Sequence, residues 1–314
     1  MKPVGNPAGR RCVSWQLGYA SLAFALVAVT ACGNADTGPQ LEVTTAAPAG
    51  ASDVCDSAAG IVEVPAGTLT QRGDTHEIAA FRLDATEVTM ARFAEFVAET
   101  GYVTMAERVL EDGQRNGSAV FRPPAAVGAM NWWVFDGAAS WKDPDGEAGH
   151  HEPGPLEPVT HIAQADAEAF AAWAGGRLPT EAEWEHAAHG GDEAPEVGAE
   201  GRHNASNANS WQGIFPVENL SRDGYPGLAP VGCFPANGYG LRDMSGNAWE
   251  WVQPDARRDR AGKGLLVGGS YLCAENFCRN ANPFGRQVQD VGFSASHIGF
   301  RVAYDSEIGG EPVK

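Results

Sequence analysis

The chain has 314 residues, 43% hydrophobic and 9% aromatic with nine tryptophans, enough to build a packed core and too many for a disordered chain. Its 40 acidic against 22 basic residues leave a formal charge of −18 and a pI near 4.8, which repels phosphate backbones and excludes nucleic-acid binding. Glycine at 39 positions and proline at 20 suit a loop-rich fold of short elements.

Residues 1–31 read as an export leader. Lys2, Arg10 and Arg11 give a positive start with no acid before Asp36, and the apolar run Leu17–Thr30 follows. At about 14 residues that run is too short for a membrane helix, which needs about 20. It ends in Val29-Thr30-Ala31-Cys32, which resembles the bacterial lipobox, so cleavage before Cys32 and lipidation of that cysteine are expected. Cleavage removes three positive charges and no negative ones, taking −18 to −21. Residues 32–54, rich in Gly, Ala, Thr and Pro, read as a flexible tether, and 55–314 as the body.

In the body, Ile61–Val64 is a short strand closed by Pro65, and a second strand is expected over Ile78–Leu83. Thr89 caps a helix whose buried face carries Phe93, Phe96 and Val97, and Gly101 stops it. Gly101–Thr104 resumes an extended path. Trp132, Trp133 and Trp141 fall in an aperiodic stretch and are expected to be buried. Asp166–Ala174 is a second helix with Phe170 and Trp173 on one face. Thr180-Glu181-Ala182-Glu183 is a capping box that opens a third, ended by Gly190-Gly191. Turns and short strands follow, up to Phe300–Ala303. Three short helices without alternating crossovers argue against a parallel sheet and for a single α+β domain with little regular structure.

Four segments stand out: Ala85-Thr-Glu-Val-Thr-Met-Ala-Arg-Phe93; Gly176-Arg-Leu-Pro-Thr-Glu-Ala-Glu-Trp-Glu185; Asn237-Gly-Tyr-Gly-Leu-Arg-Asp-Met-Ser-Gly-Asn-Ala-Trp-Glu-Trp251; and Gly268-Gly-Ser-Tyr-Leu-Cys273 with Gly299-Phe-Arg301. In this order, from about Ile61 to Ala303, they resemble the formylglycine-generating enzyme (sulfatase-modifying factor) family. The resemblance implies that family's loop-rich, C-type-lectin-like α+β domain. It also implies an oxidase that uses O2 and an external thiol to convert a cysteine of a sulfatase-type protein to Cα-formylglycine. The wider superfamily includes siderophore-tailoring enzymes, iron-dependent sulfoxide synthases and lipoproteins without established chemistry.

Taken alone, Cys273 and Cys278 read as a disulfide of an exported chain. On the resemblance they are the thiol pair that holds Cu(I), soft ligands for a low-coordinate monovalent ion, with the substrate thiolate as a further ligand. The same resemblance puts Ser270 and Trp249 at the oxygen pocket, and Arg286, Phe277 and His297 along the substrate groove. Phe277 stands where a tyrosine is usual, Asn280-Ala281-Asn282 where an Arg-Tyr-Arg-like run is, and His297 where an asparagine is. These departures cluster on the groove, so a substrate motif other than Cys-x-Pro-x-Arg is open.

The resemblance also implies two structural calcium ions. The first would use the Asn209 and Asp223 side chains with the Ser210 and Tyr225 carbonyls; the second, Asp243 and Glu250 with the Gly246 and Ala248 carbonyls. Such hard oxygen donors suit calcium. Of six cysteines, Cys12 lies in the leader and Cys32 takes the lipid, and if Cys273 and Cys278 hold copper, Cys55 and Cys233 remain to pair as a disulfide. Two disulfides of animal members are replaced as whole pairs, by Ala171 with Val302 and Ala188 with Pro283. His150-His151 and His186 with His189 lack a third ligand at metal spacing and read as solvated loop or helix-face residues.

The sequence therefore leads to a monomeric, lipid-anchored, extracytoplasmic copper oxidase, on the periplasmic or cell-surface side, acting on a cysteine-containing protein. The alternatives are a non-catalytic surface lipoprotein that binds protein or glycan, and a tailoring oxidase of a small exported metabolite.

Overall fold

The computed structural model describes residues 55, 60–71, 73–124, 131–149, 151–191, 207–253, 261–274, 277 and 285–306. The leader, the tether, Cys12, Cys32, His150, Cys278, Asn280–Asn282 and Pro283 lie outside them. Among the described residues no helix is long and apolar enough to cross a membrane.

The chain opens with strands β1 (Ile61–Val64), β2 (Gly67–Gln71), β3 (Asp74–Ile78) and β4 (Phe81–Asp84). The single strand expected over Ile78–Leu83 is thus two, parted at Ala79-Ala80. One end pairs with β2 and the other with β1. Helix α1 (Met90–Thr100) follows, then β5 (Ser118–Phe121), β6 (Trp133–Asp136), α2 (Gln164–Trp173) and α3 (Glu181–His189). The rest is loops threaded by β7 (Gly213–Ile214), β8 (Glu218–Asn219), β9 (Trp249–Val252), β10 (Lys263–Val267), β11 (Arg286–Asp290), β12 (Ile298–Gly299) and β13 (Ala303–Asp305). Gly101–Thr104 forms no regular element, and Phe300–Ala303 belongs to β13 only at its last residue. Cys55 and Cys233 form a disulfide.

Local chemistry sets the helix ends. The Thr89 hydroxyl accepts from the Arg92 N–H, and Gly101 at φ 67° takes the left-handed turn that ends α1. In α3, Thr180 Oγ1 accepts from the Glu183 N–H while the Glu183 carboxylate accepts from the Thr180 N–H, two orphan donors satisfied reciprocally. Helix α2 has no hydroxyl cap; the Asp166 carboxylate reaches back to the Ala163 N–H instead.

One four-stranded sheet, ordered β11-β10-β9-β12, organises the core. Side chains alternate across it. Trp249 and Trp251 of β9 with Leu266 of β10 face α1 and α2, in a cluster with Phe93, Phe170 and Phe300. Val252, Leu265 and Val267 face the other way, against Trp184 of α3 and strands β1 and β4. Into that second side a charge is built. Arg301 grips Glu250 with two bonds of 2.7 Å, and the Trp184 indole N–H gives the same carboxylate a third at 2.8 Å. Both charged side chains are sealed from solvent, 0% and 1% exposed.

Removing one partner of such a pair leaves an uncompensated buried charge, which costs about 3–5 kcal/mol. Arg301→Met is therefore expected to destabilise the body by that amount in urea unfolding.

Candidate active site

The segment after β10 turns at Gly268 and Gly269, both at positive φ (91° and 83°), a path that glycine takes without strain. Ser270–Cys273 then forms a tight turn, with the Cys273 N–H donating to the Ser270 carbonyl and the Leu272 N–H to the Ser270 hydroxyl. Tyr271 N–H to the Asn247 carbonyl and Trp211 N–H to the Cys273 carbonyl pin the turn on two sides. Beyond it Ala274 and Phe277 form an antiparallel bridge, bonded in both directions. Cys273 and Cys278 flank that bridge in sequence; Cys278 is outside the described residues.

Cys273, 2% exposed, borders a cavity of about 500 Å³. Ser270, Trp249, Phe277 and His297 share its wall, so every described thiol, oxygen-pocket and groove residue expected from the sequence, except Arg286, comes together here. Phe277 is stacked on Phe215 at 4.2 Å between centroids, and His297 lies against Trp133 at 4.7 Å. Trp133 is thus at the cavity, 38% exposed, rather than buried, and Phe135 beside it on β6 is more exposed still. Trp141 is buried as expected, and Trp132 half-buried against Phe215 and Phe277.

Arg286 is a correction. Register pairs Leu266 with Gln287 and Val267 with Arg286, so the pleat turns Gln287 and Gln289 into the cavity and Arg286 to the opposite side. There its guanidinium pairs with Glu181, at 3.0 Å, and Glu185 of α3. The two carboxamides that sequence reasoning missed are the polar groups β11 offers to the cavity.

Behind the cavity wall three segments converge. Ala119 N–H donates to the Ser294 carbonyl, Ser296 N–H to the Ala119 carbonyl, and His161 N–H to the Ala295 carbonyl. His161 is fully buried at φ 61°, a left-handed conformation uncommon outside glycine, with Nδ1 2.8 Å from Ser118 Oγ. Burial lowers its pKa to about 4, against the pull of the Pro144 carbonyl, Asp145 and Asp136. His297 falls to about 3, again through burial first and then the neighbouring His161.

The calcium ligand sets fare differently. Asp243 and Glu250 are buried close to Glu87, whose carboxyl is pushed well above the usual range by burial and then by those two charges. Burial likewise raises Asp243 to about 6. Asp243 Oδ1 and Glu87 Oε2 are buried with no hydrogen-bond partner. Glu250 is spent on Arg301 and Trp184, but the unpartnered Asp243 Oδ1 and the neighbouring Glu87 Oε2 leave surplus carboxylate oxygen that fits a cation at the second set. A Cβ on Gly246 would strike the Asn209 carbonyl, so only glycine lets the backbone pass there. At the first set the Ser210 and Asp223 oxygens are already engaged. The Gln212 amide donates to the Ser210 carbonyl at 2.6 Å and to Asp223 Oδ2 at 2.5 Å, and Asp223 Oδ1 accepts from the Tyr225 N–H. Asn209 Oδ1 has no hydrogen-bond partner, but with the Ser210 and Asp223 oxygens spent the first set does not fit calcium as it stands. Among the described residues no three His, Cys, Asp or Glu side chains form a ready metal cage.

The chain belongs to the sulfatase-modifying factor enzyme 1-like domain family, whose model matches residues 47–306 and so takes in the whole of this sheet and its cavity. It is 38% identical over 290 residues to the formylglycine-generating enzyme of Thermomonospora curvata, covering 79% of this chain and 94% of that one. It is 35% identical over 232 residues to a mouse protein named inactive Cα-formylglycine-generating enzyme 2, covering 71% and 74%. Among solved structures it superposes on PvdO of Pseudomonas aeruginosa with a TM-score of 0.55 at 21% identity, covering 78% and 94%, a likeness of fold.

His161 makes a pH prediction. Unfolded it titrates near 6.5 and folded near 4, so its stabilising contribution is whole above 6.5 and lost progressively as pH falls towards 4. Asparagine tolerates left-handed backbone. His161→Asn should therefore lose less stability than the wild type between pH 7 and pH 5, by on the order of 2 kcal/mol in urea melts. Asp243 and Glu87 shift in the opposite sense but are common to both proteins.

Proposed function

We propose that the protein is a copper-dependent oxidase that converts a cysteine of an exported, sulfatase-type protein to Cα-formylglycine. The observation that carries the reading is Cys273 beside Ser270 and Trp249 at the wall of the aromatic cavity. Cu(I) held by Cys273 and Cys278 would take the substrate thiolate as a further ligand and supply O2 activation. O2 is the oxidant and the external thiol provides the two remaining electrons, so that the cysteine becomes an aldehyde with release of hydrogen sulfide and water. Sulfur is the soft donor such an ion requires.

The chain's own groups do the rest. Trp249, Leu272 and Phe293 line the cavity with apolar surface that excludes water from the Cys273 thiol. Gln287 and Gln289 present donors and acceptors to the backbone of an extended peptide, and Trp133, Phe135 and Phe277 offer its side chains aromatic surface. Calcium at the second site would be held by Asp243 and the Gly246 and Ala248 carbonyls, with Glu250 shared with Arg301, and would offset the buried carboxyl charge behind β9. A lipid on Cys32 would hold this monomeric body at the extracytoplasmic face, where exported substrates pass.

Two measurements test the reading. Titration of the purified protein with Cu(I) under reducing conditions should show one tight site, lost in Cys273→Ser and in Cys278→Ser. Incubation of the loaded protein with a cysteine peptide and thiol in air should replace the peptide's sulfur and two hydrogens by one oxygen, read by mass spectrometry. Absence of copper uptake would support a non-catalytic binding lipoprotein, and uptake without conversion of any peptide a tailoring oxidase of a small metabolite. Separately, calcium at a hundredfold excess over its Kd is expected to stabilise the body by about 3 kcal/mol in thermal melts, and Asp243→Ala to abolish that gain.

A further inference from the structure

Two buried imidazole nitrogens behind the cavity have no hydrogen-bond partner, His161 Nε2 and His297 Nδ1. Such groups in a native core are normally satisfied by protein or by an ordered water. A direct bond between the rings is absent, yet they are close enough for one to depress the other's protonation. The Pro144 carbonyl lies beside the His161 ring and favours a proton on it, without bonding directly to Nε2.

The proton positions follow from the serines. Ser294 Oγ donates to Ser118 Oγ at 2.8 Å. Ser118 is fully buried, and its own proton has one further neighbour, His161 Nδ1 at 2.8 Å. A neutral imidazole that accepts at Nδ1 carries its proton on Nε2, and burial holds His161 neutral. That proton needs an acceptor, His297 Nδ1 needs a donor, and the Pro144 carbonyl beside them can accept one.

We infer that one buried water joins these three groups, accepting from His161 Nε2–H and donating to His297 Nδ1 and to the Pro144 carbonyl. Three bonds are the usual complement of a buried water. His297, accepting at Nδ1, is then fixed with its proton on Nε2, the nitrogen left to face the cavity. It becomes a neutral hydrogen-bond donor aimed at a carbonyl or other oxygen acceptor of whatever enters beside Cys273. Ser118 and His161 act through it as positioning residues. The left-handed backbone at His161, an expense in a buried residue, is what turns the ring onto both Ser118 and the water. This assignment of the cavity donor deepens the proposed function and rests on that reading only for the identity of the substrate.

Long-range 15N–1H correlation spectra of the imidazoles at neutral pH test it. The wild type is expected to show His297 as a single Nε2–H tautomer and His161 likewise. His297 protonated on Nδ1, or on both nitrogens, overturns the inference. In Ser118→Ala, His161 loses the donor that fixes it, and the His297 spectrum is expected to become a mixture of tautomers; an unchanged His297 spectrum in a folded variant overturns the relay. If Ser118→Ala does not fold, the wild-type spectrum decides alone. Affinity for a peptide with its cysteine changed to serine should fall about threefold to tenfold in His297→Leu and recover in His297→Asn, whose amide also donates. A wild type that binds no such peptide counts against the proposed substrate, and the tautomer then still settles the water-held donor.

Discussion

The body is organised around the Arg301–Glu250 pair beneath the central sheet. Besides the carboxylate, Arg301 donates to the carbonyls of Asp84, Ala85 and Arg242, so one guanidinium ties the end of β4, the turn before Asp243 and strand β9 together. Trp184 adds α3 through its indole N–H. In a fold this poor in long elements, short segments cannot hold one another by ladders alone. A charge fully satisfied by fixed donors supplies the missing registration, because any slip leaves it buried and unpaired.

That pair and the cavity share strand β9. Glu250 points to α3, and Trp249, its neighbour in sequence, points to Cys273. The same alternation in β11 sends Arg286 to α3 and Gln287 to the cavity. Two consecutive residues on two strands thus join the structural ion pairs to the chemistry, and neither face can shift by one residue without exchanging the two roles. The Asn247 amide continues the link. It bonds Glu87 and Asn209 on the carboxyl side, while its backbone carbonyl accepts from the Tyr271 N–H, next to Ser270 in the thiol-bearing turn.

Helix ends were legible because their causes are local: Thr89, Thr180 with Glu183, Gly101 and Gly190 each act within four residues. The meeting of Cys273, Ser270, Trp249, Phe277 and His297 was legible through long motif strings. Arg286 was not, since which face a strand residue takes depends on its register with β10, and Arg-Gln-Val-Gln-Asp carries no apolar phase to reveal it. Trp133 was misjudged by size; on β6 it alternates outward with Phe135, leaving Asp136 buried. His161 gave no signal at all, because a left-handed histidine is imposed by its tertiary partners rather than by its neighbours in sequence.

The Cys55–Cys233 bond spans 178 residues and lies just ahead of β1, a strand at the edge of the sheet β1-β4-β13. Hydrogen bonds of an edge strand give way one after another when the strand is pulled from its end. Tension applied upstream of residue 55 instead passes through sulfur to Cys233, so the first strand is spared peeling. The body can be tugged without being unzipped.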